Sequence, residues 1–241
     1  MKKSNRLTRK ILLLISFSIA MGLLEAIVVV YLRMLYYPQG FLFPLQLMNS
    51  SVFGVEFLRE IATLVMLFSI SFLTGKNFTT RLANFLFTFA VWDIFYYIWL
   101  KLLLHWPASL LDWDILFLVP ITWVGPVLSP VIASLVMLWI AGLILYFENR
   151  GIQVHFKLAE WAMIILGALI IFFSYIRDYA QLIIQGGYLD HLSSLASDAH
   201  FQAEVLQYVP QHYQWGWFLV GIGLILFATL QFSIRYKNKT Y

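Results

Sequence analysis

Six stretches of this chain are each long and apolar enough to cross a lipid bilayer, which takes roughly 20 mostly apolar residues. They are Ile11–Leu35, Val52–Thr74, Leu82–Leu104, Val127–Phe147, Leu158–Ile184 and Trp215–Ile234. Inside hydrocarbon a backbone has to satisfy its own hydrogen bonds, and a lone spanning segment does so only as an α-helix. The expected fold is an all-α polytopic membrane protein, one integral-membrane domain over residues 1–241 with about six transmembrane helices in a single bundle.

Composition narrows the function classes. Of 241 residues, 61% are hydrophobic and 12% charged, against about 25% charged in soluble domains. This excludes a disordered chain and an ordinary soluble enzyme. The net charge of +4 comes from few residues and makes no nucleic-acid patch, so the partner expected first is the lipid bilayer and no nucleic acid is expected. The chain has no Cys, which removes thiolate nucleophiles, Cys-ligated zinc, iron–sulfur clusters and covalent haem.

The N-terminus has the basic start and apolar run of a signal peptide, with a Ser18-Ile19-Ala20 site. The apolar run continues to Leu32, past the core of a signal peptide, and reads as the first span. Two apolar segments are too short to cross, Phe41–Met48 and Leu110–Val124, the latter broken by Pro120. Both read as re-entrant or interfacial pieces.

Lys and Arg set the direction of insertion. Twelve of the sixteen fall on one side: Lys2, Lys3, Arg6, Arg9, Lys10, Lys76, Arg81, Arg150, Lys157, Arg235, Lys237 and Lys239. Both termini are therefore expected in the cytoplasm, with the chain in a bacterial cytoplasmic (inner) membrane. The outer connections are the longer ones, where function concentrates. One of them places Leu189, Leu192, Leu195, Ala199, Ala203, Leu206 and Val209 at helical spacing before Pro210. This predicts an amphipathic helix over about 188–209, lying on the outer surface.

Ionisable residues within spans are costly and face a bundle interior or a watery cavity. Glu25, Glu56, Arg59, Glu60, Asp93, Arg177 and Asp178 come from four spans. At about 1.5 Å per residue they share the outer half of the bilayer, with Asp93 the deepest. Glu56, Arg59, Glu60 and Thr63 follow a helical i, i+3, i+4, i+7 pattern and share a face. Asp93, Tyr97, Lys101 and His105 step by four as one polar stripe, and Ser174, Arg177, Asp178 and Gln181 form another. Ser18, Gly22 and Ala26 make a small-residue seam for close helix contact beside Glu25.

These faces are expected to turn inward around an outward-facing polar cavity. Its solute- or ion-binding residues would be Glu25, Glu56, Arg59, Glu60, Asp93, Tyr97, Lys101, Arg177 and Asp178. Arg33, His105, Asp112 and Asp114 would form its rim. Asp93 is the sharpest candidate for a proton- or cation-responsive group. Arg59 and Arg177 are suited to an anionic group.

The five His include no pair placed within spans, so no haem or other cofactor is expected. Asp190-His191 and Asp198 with His200 have no diagnostic ligand spacing, and no metal site is expected. No phosphate-binding Gly loop, GxSxG elbow or HExxH occurs. The expected function is a small transporter or permease component for a small polar or anionic solute, or for protons. The alternatives are an accessory subunit bound to membrane-protein partners and an intramembrane enzyme acting on an outer-leaflet lipid.

Overall fold

A computed structural model describes residues 2–46, 48–189 and 198–237. Six of its helices are long and apolar enough to span a membrane, as the hydropathy pattern requires. They are α1 (Lys2–Tyr36), α2 (Ser50–Thr74), α3 (Phe78–Leu104), α4 (Leu128–Asn149), α5 (Leu158–Gln185) and, after a short α6 (Ala199–Val205), α7 (Trp215–Lys237). Their ends reach beyond the apolar runs because capping groups decide where a helix begins. Asn77 Oδ1 accepts from the Thr80 backbone N–H at 2.8 Å and Thr80 Oγ1 accepts from the Asn77 N–H at 3.1 Å. This reciprocal cap starts α3 at Phe78 rather than Leu82. Asn49 similarly caps α2 by accepting from the Ser51 N–H at 2.9 Å.

Helix α3 is the hub, packed against α1, α2 and α4, while α5 pairs with α7. The predicted small-residue seam brings α1 onto α3. Ser18 and Ala26 are fully buried, and a Cβ at Gly22 would stand 3.0 Å from the Trp92 carbonyl oxygen. The α5–α7 crossing is closer still. Gly167 and Gly221 face each other, so a Cβ on either would lie 2.6 Å from the other's carbonyl oxygen. Lipid tails are as apolar as Leu, so helices in a bilayer gain from backbone approach rather than from hydrophobic burial.

The segment read as a re-entrant or interfacial piece contains a β-hairpin. Strands β1 (Trp113–Phe117) and β2 (Trp123–Pro126) pair antiparallel, with Asp114 opposite Gly125. The structure is mostly helical, consistent with the expected all-α bundle, with this one two-stranded insertion. The hairpin pairs its own backbone groups, and β2 packs on α5.

Of the amphipathic helix expected over 188–209, residues 190–197 lie outside the described residues, with Asp190, His191, Leu192 and Leu195 among them. Of its described residues only Ala199–Val205 form an α-helix, α6, capped by Asp198, which accepts from the His200 and Phe201 N–H groups. Phe201 and Val205 are buried against Phe41, Leu45, Ile183 and Tyr188. Here α6 acts as a cover over the neighbouring loops.

At the other end of the bundle, the α2–α3 turn, the α4–α5 turn and the end of α7 meet. Thr79 Oγ1 donates to the Val154 carbonyl at 3.1 Å, and Arg235 Nη2 donates to Glu160 Oε2 at 2.6 Å and to the His155 carbonyl at 2.9 Å. Lys76, Arg81, Arg150 and Lys157 lie on or beside these same turns. The charge asymmetry of the loops therefore maps onto one end of the fold.

The glycine crossing gives a direct stability test. Gly221→Ala is expected to lower stability by about 1–3 kcal/mol through overpacking, read as a lower unfolding temperature of the purified protein in detergent. Gly223→Ala, where a Cβ meets nothing within 4 Å, is expected to leave that temperature unchanged or raise it. Equal effects at the two positions would contradict the close α5–α7 contact.

Candidate functional site

The charged residues of α1 and α2 meet because both helices present them toward α3. Glu25 on α1 forms an ion pair with Arg59 of α2, and its other oxygen accepts from Thr63 Oγ1 at 3.1 Å. Arg59 also holds Glu56, donating from Nε to Oε1 at 2.6 Å, and approaches Glu60 at 3.9 Å. One guanidinium thus serves three buried glutamates. Glu60 has a second role, since its Oε2 accepts from the Leu118 backbone N–H at 2.8 Å. That bond fixes the end of the hairpin to α2.

These groups line a cavity of about 440 Å³ at the end of the bundle where α1 ends and α2 begins. The volume is within the range of small-molecule sites, roughly 300–1,000 Å³. Glu25, Glu56, Arg59, Glu60 and Asp93 all line it. Asp93 accepts from Ser134 Oγ of α4 at 2.8 Å. It makes no ion pair among the described residues, and it is only partly buried because it faces the cavity. The rest of the lining is largely apolar and aromatic, with Phe41, Phe53 and Phe57 from the α1–α2 region and Ile115 and Phe117 from the hairpin.

Arg33 and Asp114, expected on a solvated rim, instead form a buried pair in the cavity wall. Their side chains meet at 3.0 Å and the residues are 7% and 2% exposed. The cause is the hairpin, which folds back against the helices and carries Asp114 inward. Arg33 is held between the rings of Trp106 and Phe41, at 3.7 and 4.4 Å, where cation–π attraction holds the guanidinium in place. Tyr97 donates its hydroxyl to Asp114 Oδ2 at 3.2 Å. Burial pushes the Asp114 carboxyl up to about 6, with Arg33 and the Tyr97 hydroxyl pulling it back down.

Other expected members stand elsewhere. Each four-residue step on a helix overshoots a turn by about 40°, so the stripe from Asp93 to His105 winds out of the cavity. Tyr97 is behind the wall, against Asp114. Lys101 is exposed and donates to the Pro107 carbonyl at 2.7 Å and the His105 carbonyl at 3.3 Å. His105 ends α3 in the left-handed region at φ 56°. Asp112 accepts from the Ala108 and Ser109 N–H groups and closes a turn.

Arg177 and Asp178 do not line the cavity either. They pair with each other at 3.4 Å, and Asp178 accepts from the Tyr208 hydroxyl at 3.3 Å. The residues of α5 that do line it are Tyr179 and Ile183. Arg177 is two residues before Tyr179, about 200° around the helix.

Sequence reasoning missed Trp92, Tyr96 and the hairpin backbone as parts of the wall. The two aromatic residues flank positions already singled out. The hairpin had a signal in the β-prone runs either side of Pro120.

Among the described residues, no group of three His, Asp or Glu side chains is placed to hold a metal ion. The arrangement offers hydrogen-bond and charge complementarity over an apolar chamber. No family model, curated protein or solved structure matches this chain.

Arg59 is the test of this arrangement. Arg59→Ala leaves Glu25 and Glu56 buried without their cation and is expected to destabilise the protein by about 3–5 kcal/mol. Adding Glu25→Gln and Glu56→Gln is expected to restore much of the loss in the same thermal unfolding assay. Strictly additive losses would show that the three side chains are not coupled.

Proposed function

We propose that this protein is a small transporter or permease component whose cavity takes up a small polar solute with proton or cation coupling. The observation that carries the reading is the convergence of Glu25, Glu56, Arg59, Glu60 and Asp93, from three helices, on one cavity. A buried ion pair alone would orient helices. It does not call for a chamber of ligand size with a further, unpaired carboxylate at its base. Asp93 is the coupling group in this proposal, since a carboxylate inside a membrane bundle with only a hydroxyl, Ser134, as its partner is open to a proton or a bound cation. An anionic solute is disfavoured because Arg59 is already engaged by glutamates and Arg33 by Asp114. In the same proposal the membrane is the bacterial cytoplasmic membrane, both termini are cytoplasmic and the cavity faces outward, following the loop cations.

A second reading rests on a different observation. Arg177 and Asp178 lie within α5, outside the cavity and partly exposed. Charge in that position suits contact with another membrane protein, as in an accessory subunit.

Purified protein in proteoliposomes on a solid-supported membrane separates the two. A pH jump from 7 to 6 is expected to give a transient current from proton binding in the cavity, and Asp93→Asn is expected to reduce it at least fivefold. No current from wild-type protein would overturn the transporter reading and favour the subunit.

A further inference from the structure

We propose that the cavity is built for an organic cation, a protonated amine carrying an apolar body and a hydrogen-bond acceptor. The inference rests on the reading of the cavity as a ligand site and specifies its ligand class. Three separate observations support it.

The first is charge balance. Five carboxylates line the cavity, those of Glu25, Glu56, Glu60, Asp93 and Asp114, against the guanidiniums of Arg33 and Arg59. Arg33 is committed to Asp114, and Arg59 is shared among the glutamates. Asp93 is left with a neutral partner, Ser134. An excess of acid in a low-dielectric chamber attracts positive charge strongly.

The second is the wall. Aromatic residues Phe53, Phe57 and Tyr96 line the same chamber as the carboxylates. Aromatic faces attract ammonium groups and bury hydrocarbon. A hydrated inorganic ion gains little from such walls. The carboxylates are also not gathered to hold a bare metal ion among the described residues.

The third is a pair of unmet donors. Trp92 Nε1 and Arg33 Nη1 are buried without a hydrogen-bond partner, on residues that line the cavity and are 5% and 7% exposed. Buried polar groups nearly always have partners. Neither atom has appreciable exposed surface of its own, so rotation of these cavity-lining side chains on ligand entry would bring them to an acceptor, such as a hydroxyl or ether oxygen.

The experiment is a chemical series titrated into the purified full chain in detergent, followed by calorimetry and by tryptophan fluorescence. The probes are 2-amino-1-phenylethanol, phenethylamine, 1-phenylethanol, phenylacetate and methylammonium, with sodium chloride at matched ionic strength. The amino alcohol is expected to bind tightest. Phenethylamine, lacking the acceptor, is expected to bind several-fold more weakly. The neutral alcohol, the anion and methylammonium are each expected to lose tenfold or more. Asp93→Asn is expected to weaken amino-alcohol binding at least tenfold with an unchanged unfolding temperature.

Binding of phenylacetate or 1-phenylethanol as tight as that of the amines would overturn the inference. So would displacement of the amine by sodium. These comparisons use wild-type protein and do not depend on the variant folding. If no amine binds while the pH-jump current persists, the ligand class is wrong and the transporter reading stands. Loss of both removes the transporter reading as well.

Discussion

A carboxylate taken out of water needs a cation, a proton or strong hydrogen bonds, and this fold places several in one region. The ion pair between Glu25 and Arg59 crosses from α1 to α2. It joins two helices that otherwise meet mainly through α3. Because Arg59 also holds Glu56 and approaches Glu60, a single side chain sets the spacing of the cavity floor. The hairpin depends on the same group at one remove, since Glu60 accepts from the Leu118 N–H. The Arg33–Asp114 pair anchors the start of the same strand, β1. The polar network therefore supports the hairpin, and the hairpin closes the cavity.

The rest of the bundle serves as a frame. Small residues bring α1 onto α3 and α5 onto α7 at backbone distance, a contact that lipid cannot displace by being apolar. Helix α3 then carries Trp92, Asp93 and Tyr96 to the chamber, while Ser134 of α4 fixes the Asp93 carboxylate. Phe201, Gln202 and Val205 of α6 complete the lining.

Much of this was legible in the residues. Spans are written in hydropathy, so the six helices agree with the apolar runs apart from their capped ends. The Ser18–Gly22–Ala26 seam was readable because close packing admits only small side chains. The Glu56, Arg59, Glu60 and Thr63 face was readable because it covers two turns, over which helical drift is small. Less legible were features set by rotation and by distant partners. The stripe from Asp93 to His105 is long enough for drift to turn Lys101 outward. The α5 charges could face either way, and only the packing of Tyr179 and Ile183 decides it. Asp114 looked like a rim residue because five strand residues beside a proline resemble an apolar loop until their partner, Trp123–Pro126, is known.

Uptake of a solute by the proposed transporter requires that water reach this charged chamber from the outer side of the membrane. The chain has no Cys, so a single introduced cysteine reports on one position alone. Phe57→Cys lies in the cavity wall, and Thr88→Cys lies fully buried beside Ser71, away from it. Treating intact cells with a membrane-impermeant cationic methanethiosulfonate is the direct measurement. Rapid modification of Phe57→Cys and none of Thr88→Cys is expected. Modification of Phe57→Cys only after the inner face is exposed, or not at all, would contradict that outer access.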